Sequence, residues 1–228
     1  MNRRSLQVDL PIFHLRYLPI EAVGEAARAI EASGVVDSVT VWDQLTFHVP
    51  PVLWTTEHTP LAADLPDLDS MPDAFATLGY IAASAPGLGL TTSPDAARRG
   101  PGELMQSMLT LADMSHGRAI IQMGAGEIKQ TGPFGHKTTQ GLKRFEDQLR
   151  IYRRFLENDG PIDHDGNVWK MNQAWLGGSY QYTPRLFALG GGPKLIDLAT
   201  SYADGFCTMA PCVWRSPEAA AEQIGDLK

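Results

Sequence analysis

The residues of this chain whose types and spacing invite chemistry fall mainly in four short stretches. The first is Gly124-Ala125-Gly126-Glu127, directly after a strand-like run, Ala119–Met123. Glycines after a strand suggest a nucleotide phosphate. A dinucleotide fingerprint would need a third glycine at position 129, which is Lys129, and would normally lie in the first strand–helix unit rather than the fourth. Gly124 and Gly126 better suit a backbone that must approach a flat ligand closely. The second stretch, Gly190-Gly191-Gly192-Pro193, stands between a strand end and a helix start. Its amides and the helix N-terminus suit an anion such as phosphate; the alternative is a tight turn without a ligand.

The third stretch is Val41-Trp42-Asp43-Gln44, with an acid at the carboxyl end of a strand. Parallel α/β proteins place functional groups there, although Asp also caps loops and helices. In the fourth, Thr91-Thr92 ends a strand and Arg98-Arg99 follows in the loop. These arginines could meet an anionic ligand or stand solvated. Metal chemistry has little support: the histidines 14, 48, 58, 116, 136 and 164 show no metal-ligand pairing. The run from Asp163 to Asn167 resembles a calcium loop but carries Val168 and Ala174 where glycine and the final acid belong. No nucleophile elbow is present. No metal is expected.

Composition narrows the classes. A net charge of −7, from 19 basic against 26 acidic residues, argues against a nucleic-acid or anionic-membrane surface. No apolar run reaches the roughly 18 residues of a membrane span, and the N-terminus lacks a signal-peptide core. Two cysteines, Cys207 and Cys212, make no disulfide framework, so a reducing cytoplasm is the expected compartment.

The elements that must position these stretches alternate in period. Strands are expected at Leu6–Leu10, Ser38–Trp42, Leu88–Thr92, Ala119–Met123, Arg185–Leu189 and Gly205–Met209. Helices are expected after Pro19 (ending at Gly34), over Asp73–Ala83, after Pro101, over Thr139–Asn158, over Pro193–Tyr202 and from Pro217. The apolar face of the longest helix is Leu142, Phe145, Leu149, Tyr152 and Leu156. A hairpin is expected at Asp165-Gly166. Such alternation implies a parallel sheet wrapped by helices in one domain over residues 1–228, with a long loop at about 43–72 and an insertion at about 159–184. Leu53, Trp54, Leu61 and Leu65 in that loop suit either a large apolar substrate or a self-packed loop. Counting leaves an open doubly wound sheet and a (β/α)8 barrel in competition.

Together, Ala29–Asp43, the Pro101 helix, Leu111–Glu127, Gly141–Phe155 and Pro184–Phe206 resemble, in order, the luciferase-like superfamily of flavin and deazaflavin oxidoreductases. The resemblance implies a (β/α)8 TIM barrel with about six of eight βα units present. Within it, Trp42-Asp43 and Gly126-Glu127 look most like the branch using coenzyme F-420, with FMN as the alternative cofactor. It implies that Asp43 contacts the ring region, with Gln44 beside it where one branch carries His. It also implies that Thr91-Thr92 forms a non-proline cis peptide under the ring. Gly190, Gly191, Gly192 and Pro193 are implied to surround the cofactor phosphate, with Gly126 against the ring. Glu127 matches an acid near the substrate carbonyl and is the first choice of proton donor or relay, then His48, then His14. The expected activity is hydride transfer between the deazaflavin and a carbonyl or alcohol, a lipid ketone among the candidates. An FMN monooxygenase and a non-catalytic truncated chain are the alternatives. A homodimer is expected. The family's last two strands are missing, so a fragment, a truncated product or completion by another chain is expected.

Overall fold

The computed structural model describes residues 7–137, 139–208, 216, 218–219 and 221–222. Six strands form one parallel sheet: β1 (Asp9–Pro11), β2 (Ser38–Val41), β3 (Gly89–Thr92), β4 (Ala119–Gly124), β7 (Arg185–Leu189) and β8 (Gly205–Cys207), in the spatial order β1-β2-β3-β4-β7-β8. Between β4 and β7 the chain inserts an antiparallel hairpin, β5 (Ile162–Asp165) and β6 (Lys170–Ala174). The helices are α1 (Glu21–Ser33), α2 (Ala74–Ser84), α3 (Pro101–Met114), the single turn α4 (Ile128–Thr131), α5 (Gly141–Glu157) and α6 (Pro193–Tyr202).

Local signals explain most boundaries. Gly34 adopts φ +66° and closes α1, donating its amide to Glu31 O. Asp73 caps α2 through a 2.9 Å bond from the Ala76 amide. Pro101 and Pro193 each start a helix, where a missing N–H costs nothing. The first strand begins at Asp9, later than expected. Leu6, the expected start of the first strand, lies outside the described residues, as do Met209, Cys212 and Pro217.

Strand alternation sorts the side chains. Ala119, Ile121 and Met123 of β4 are fully buried, while Ile120, Gln122 and Gly124 are half-buried. The buried set joins Val39, Val41, Leu90, Leu186 and Ala188 in one core against the helices. From α5 that core receives Phe145, Leu149, Ile151, Tyr152 and Phe155. Leu142, expected on this face, is 41% exposed because the buried stripe begins one turn later. The other face of the sheet is more polar. There Asp9 accepts hydroxyls from Ser38, Thr40 and Thr91, the last at 2.9 Å. Arg185 Nη2 reaches Gln7 Oε1 at 2.9 Å, linking the start of β7 to the residues before β1 and showing how far the sheet curls. Among the described residues β1 pairs only with β2 and β8 only with β7, so the sheet is an unclosed arc of a TIM-type barrel.

The tip of the β5–β6 hairpin is held by one carboxylate of α5. Asp147, 1% exposed, accepts the amides of Asn167 (3.0 Å), Val168 (2.6 Å) and Trp169 (3.0 Å). Burial pushes its carboxyl up, but these backbone donors outweigh that and hold it below the ordinary Asp value. Among the described residues no helix is long and apolar enough to cross a membrane.

Candidate functional site

The loops after the strands converge at the carboxyl edge of the sheet, where barrel enzymes build their sites. A cleft of about 370 Å³ opens there. Its walls include Gln44 after β2, Asp95 after β3, Gly126 and Glu127 after β4, and Gly190 and Gly191 after β7. The order of these loops in space follows the strand order, so residues up to about 150 positions apart become neighbours.

The loop after β3 keeps pairing with β4 beyond the strand: Gly124 donates to Pro94 O at 3.0 Å, and Ala96 donates to Gly124 O at 2.9 Å. Asp95 sits in this extension, 5% exposed. Its Oδ1 accepts the amides of Ala97 (2.9 Å) and Arg98 (2.8 Å), an Asx turn that shapes the loop. Its Oδ2 is buried and has no hydrogen-bond partner among the described residues. Burial raises the Asp95 carboxyl above its ordinary value, the two amides and Arg98 pull it down, and the charge of Asp43 pushes it up again.

The glycines have specific reasons. Gly126 takes φ +106°, and a Cβ there would stand 3.0 Å from Ala97 Cβ and 3.6 Å from Asp95 Oδ1. Gly190 takes φ +151°, and a Cβ would fall 2.7 Å from Leu195 Cδ1. Both conformations disfavour other residues. Gly192 caps α6 without a side-chain bond, and Gly191, Gly192 and Pro193 are exposed.

The remaining candidates divide. Gln44 lines the cleft, and its Oε1 is buried with no partner among the described residues. Glu127 lines it too, with its side chain 52% exposed and Lys129 Nζ 3.5 Å away. Lys129 also lies 5.7 Å from the Phe47 ring, which packs with Phe13 and Trp42 into an aromatic trio. His48 and His14 are not among the cleft's lining residues. The exposed His48 has φ +53°, with its amide bound to Asp69 Oδ1 at 2.6 Å. His14 is 6% exposed, and burial lowers its imidazole pKa.

Two expectations change. Thr91-Thr92 is not a cis peptide: no described bond is cis, and both residues lie in regular parallel ladders with β2 and β4, which need extended trans backbone. Neither is among the residues lining the cleft. Arg98 and Arg99 are neither solvated nor free for an anion. Arg99 grips the Asp43 carboxylate at 2.9 and 3.0 Å and reaches Asp73 at 2.8 Å, while Arg98 pairs with Asp43 and donates to its carbonyl at 2.9 Å. Asp43 is 2% exposed. Sequence reasoning missed Asp95 and Gln130, which also line the cleft. The Ser93-Pro94-Asp95 turn at a strand end was the available signal for the first.

A parallel barrel sheet with a glycine-walled cleft at its carboxyl edge defines a barrel enzyme class rather than a nucleotide fold of the dinucleotide type. Residues 17–228 match the profile of the luciferase-like monooxygenases, and the chain belongs to this oxidoreductase family. It is 28% identical over 205 residues to a phthiodiolone/phenolphthiodiolone dimycocerosates ketoreductase of Mycobacterium bovis, covering 86% of this chain and 52% of that protein. The chain therefore spans about half the length of this relative. An F420-dependent secondary alcohol dehydrogenase, solved with an F420-acetone adduct, superposes with TM-score 0.71 at 24% identity, over 96% of this chain and 65% of the other. The oxygenating constituent of 3,6-diketocamphane monooxygenase from Pseudomonas putida, solved with FMN, superposes with TM-score 0.64 at 13% identity, over 89% and 57%. Both structures show a shared fold.

Proposed function

We propose that the chain carries the cofactor half of an F-420-dependent oxidoreductase that moves hydride between the deazaflavin and a carbonyl or alcohol carbon. The observation that carries this reading is the cleft itself. Glycine backbone from the loops after β4 and β7 walls it, and two buried oxygens, Gln44 Oε1 and Asp95 Oδ2, have no partner among the described residues. Such groups fit a flat heterocycle with polar edges. The similarity to a ketoreductase and to an F420-dependent dehydrogenase supports the choice of cofactor and substrate class.

When bound, F-420 supplies the hydride chemistry. The chain supplies the rest. Gly126 and Gly190 let their loops fold closely against Ala97 and Leu195 in conformations other residues disfavour, and the loop Gly190–Pro193 offers amides and the α6 N-terminus to phosphate. Glu127, the acid at the cleft rim, moves the proton that balances hydride transfer at the substrate oxygen. Asp43 holds the arginine loop in place rather than meeting the ring. The exposed Leu53 and Leu61 suit an apolar substrate such as a lipid ketone, although Trp54 Nε1 is bonded within the same loop to Leu65 O at 2.8 Å.

Fluorescence titration of the purified chain with F-420 and with FMN tests this. Saturable F-420 binding is expected; binding of neither overturns it. An FMN monooxygenase is the second reading, favoured by the family's oxygenase members and by the FMN complex of similar fold. Oxygen consumption with reduced FMN would establish it instead.

A further inference from the structure

One carboxyl of the cleft has no role in the reaction described so far. Asp95 is 5% exposed and divides its two oxygens between two environments. Oδ1 is committed to the turn through the Ala97 and Arg98 amides at 2.9 and 2.8 Å. Oδ2 is buried in the cleft wall and meets no donor or acceptor among the described residues. A buried polar atom without a partner is costly, and a charged one more so. Nor is the position a tolerated accident of a loose loop. The backbone on both sides is paired to Gly124, and Gln148 from α5 donates to Arg99 O at 2.7 Å. A Cβ on Gly126 would press on Ala97 Cβ at 3.0 Å, so the neighbouring loop leaves little slack.

We propose that Asp95 is a ligand-binding residue whose Oδ2, carrying the proton, donates a hydrogen bond to a carbonyl of the heterocycle filling the cleft. This rests on the cofactor reading above and deepens it. Gln44 Oε1, the other buried oxygen of the cleft without a partner among the described residues, is an acceptor. Both residues line the cleft, one as donor and one as acceptor, and a ring edge in which C=O adjoins N–H offers the matching pair of groups. F-420 and FMN share such an edge, so the contact serves either cofactor.

Burial shifts the Asp95 carboxyl toward its protonated form. Asp43, from the loop after β2, adds negative charge near Asp95, and burial acts in the same direction. Arg98 of its own loop and the two turn amides oppose them, and the pull of Arg98 exceeds the push of Asp43, so burial is what holds the carboxyl above its ordinary value. Glu127, after β4, is the other acid of the cleft. Gln148 of α5 and Leu195 of α6 also border the loop or cleft and do not titrate.

Asp95→Asn and Asp95→Ser separate the roles. Asn keeps an acceptor for the turn amides and places an N–H donor where Oδ2 stood. Ser keeps a turn acceptor and removes the second polar atom. In fluorescence titrations with F-420 and with FMN, Asp95→Asn is expected to bind within about threefold of the native chain, and Asp95→Ser to lose about fivefold. Binding by the native chain is expected to weaken as pH rises through the raised Asp95 pKa, whereas Asp95→Asn loses that dependence. The contact is overturned if Asp95→Asn, with an unchanged melting temperature, loses more than about tenfold, since Oδ2 would then be an acceptor. It is equally overturned if both variants match the native chain at every pH, since the carboxyl would then serve only the turn. Failure of the native chain to bind either cofactor is a different result and refutes the cofactor reading itself.

Discussion

Replacing Asp43 with Asn should cost stability before it costs chemistry. Its carboxylate is 2% exposed and takes both oxygens of a bidentate grip from Arg99, at 2.9 and 3.0 Å, together with Arg98, whose side chain is 9% exposed. An Asn is neutral and leaves Arg98 as a buried cation without its counter-charge. Breaking one side of a buried pair costs about 3–5 kcal/mol. The lower end applies, because Arg99 is 25% exposed, retains Asp73 at 2.8 Å and lies over the Phe75 ring at 4.7 Å. About 3 kcal/mol in a chain of this size lowers the melting temperature by about 6–12 °C. Thermal unfolding followed by circular dichroism measures the shift, provided the transition is two-state. A cycle with Arg99→Met should show about 1–3 kcal/mol of coupling. The opposite pattern, an unchanged melting temperature with F-420 binding lost, would refute this and return Asp43 to the ring contact that the family resemblance implies.

Other consequences are equally direct. Asp147→Asn should loosen the β5–β6 tip by about 2 kcal/mol, seen as faster amide exchange at 167–169; unchanged exchange would refute the anchoring role. Because the folded Asp147 pKa is depressed, its stabilisation is present above the unfolded pKa of about 3.9 and lost as pH falls through the folded value. The native chain should therefore lose more stability in acid than Asp147→Asn does. Tyr152→Phe should raise the melting temperature, because the Tyr152 hydroxyl is buried without a partner among the described residues and removing it relieves about 1 kcal/mol; a drop would reveal a hydrogen bond. Gly190→Ala should destabilise by about 1–3 kcal/mol, since its Cβ would meet Leu195 Cδ1 at 2.7 Å with φ +151°; a neutral result would show that Leu195 yields.

The elements were legible because their signals are local. Helical spacing of Phe145 and Leu149, the stop at Gly34 and the helix starts at Pro101 and Pro193 each follow from backbone geometry over a few residues. The limits of that signal appear where packing decides. Leu142 fits the apolar period of α5 yet lies beyond the region the sheet covers, while Phe155, outside the expected face, is 1% exposed.

The amino-acid sequence by itself determined the alternation of strand and helix, the glycines that must stand after β4 and β7, and an acid at the end of β2. Only the tertiary structure decided what these do. Parallel register brings the loops after β2 and β3 together, so Arg98 and Arg99 meet Asp43 across 55 and 56 positions and make it the centre of a buried ion pair. The same register sets Asp95 against Gly126 and leaves its Oδ2 buried without a hydrogen-bond partner among the described residues. Which residues share a face is a property of the chain's own period. Which strand ends share a site depends on pairing between segments far apart, and no local pattern encodes that.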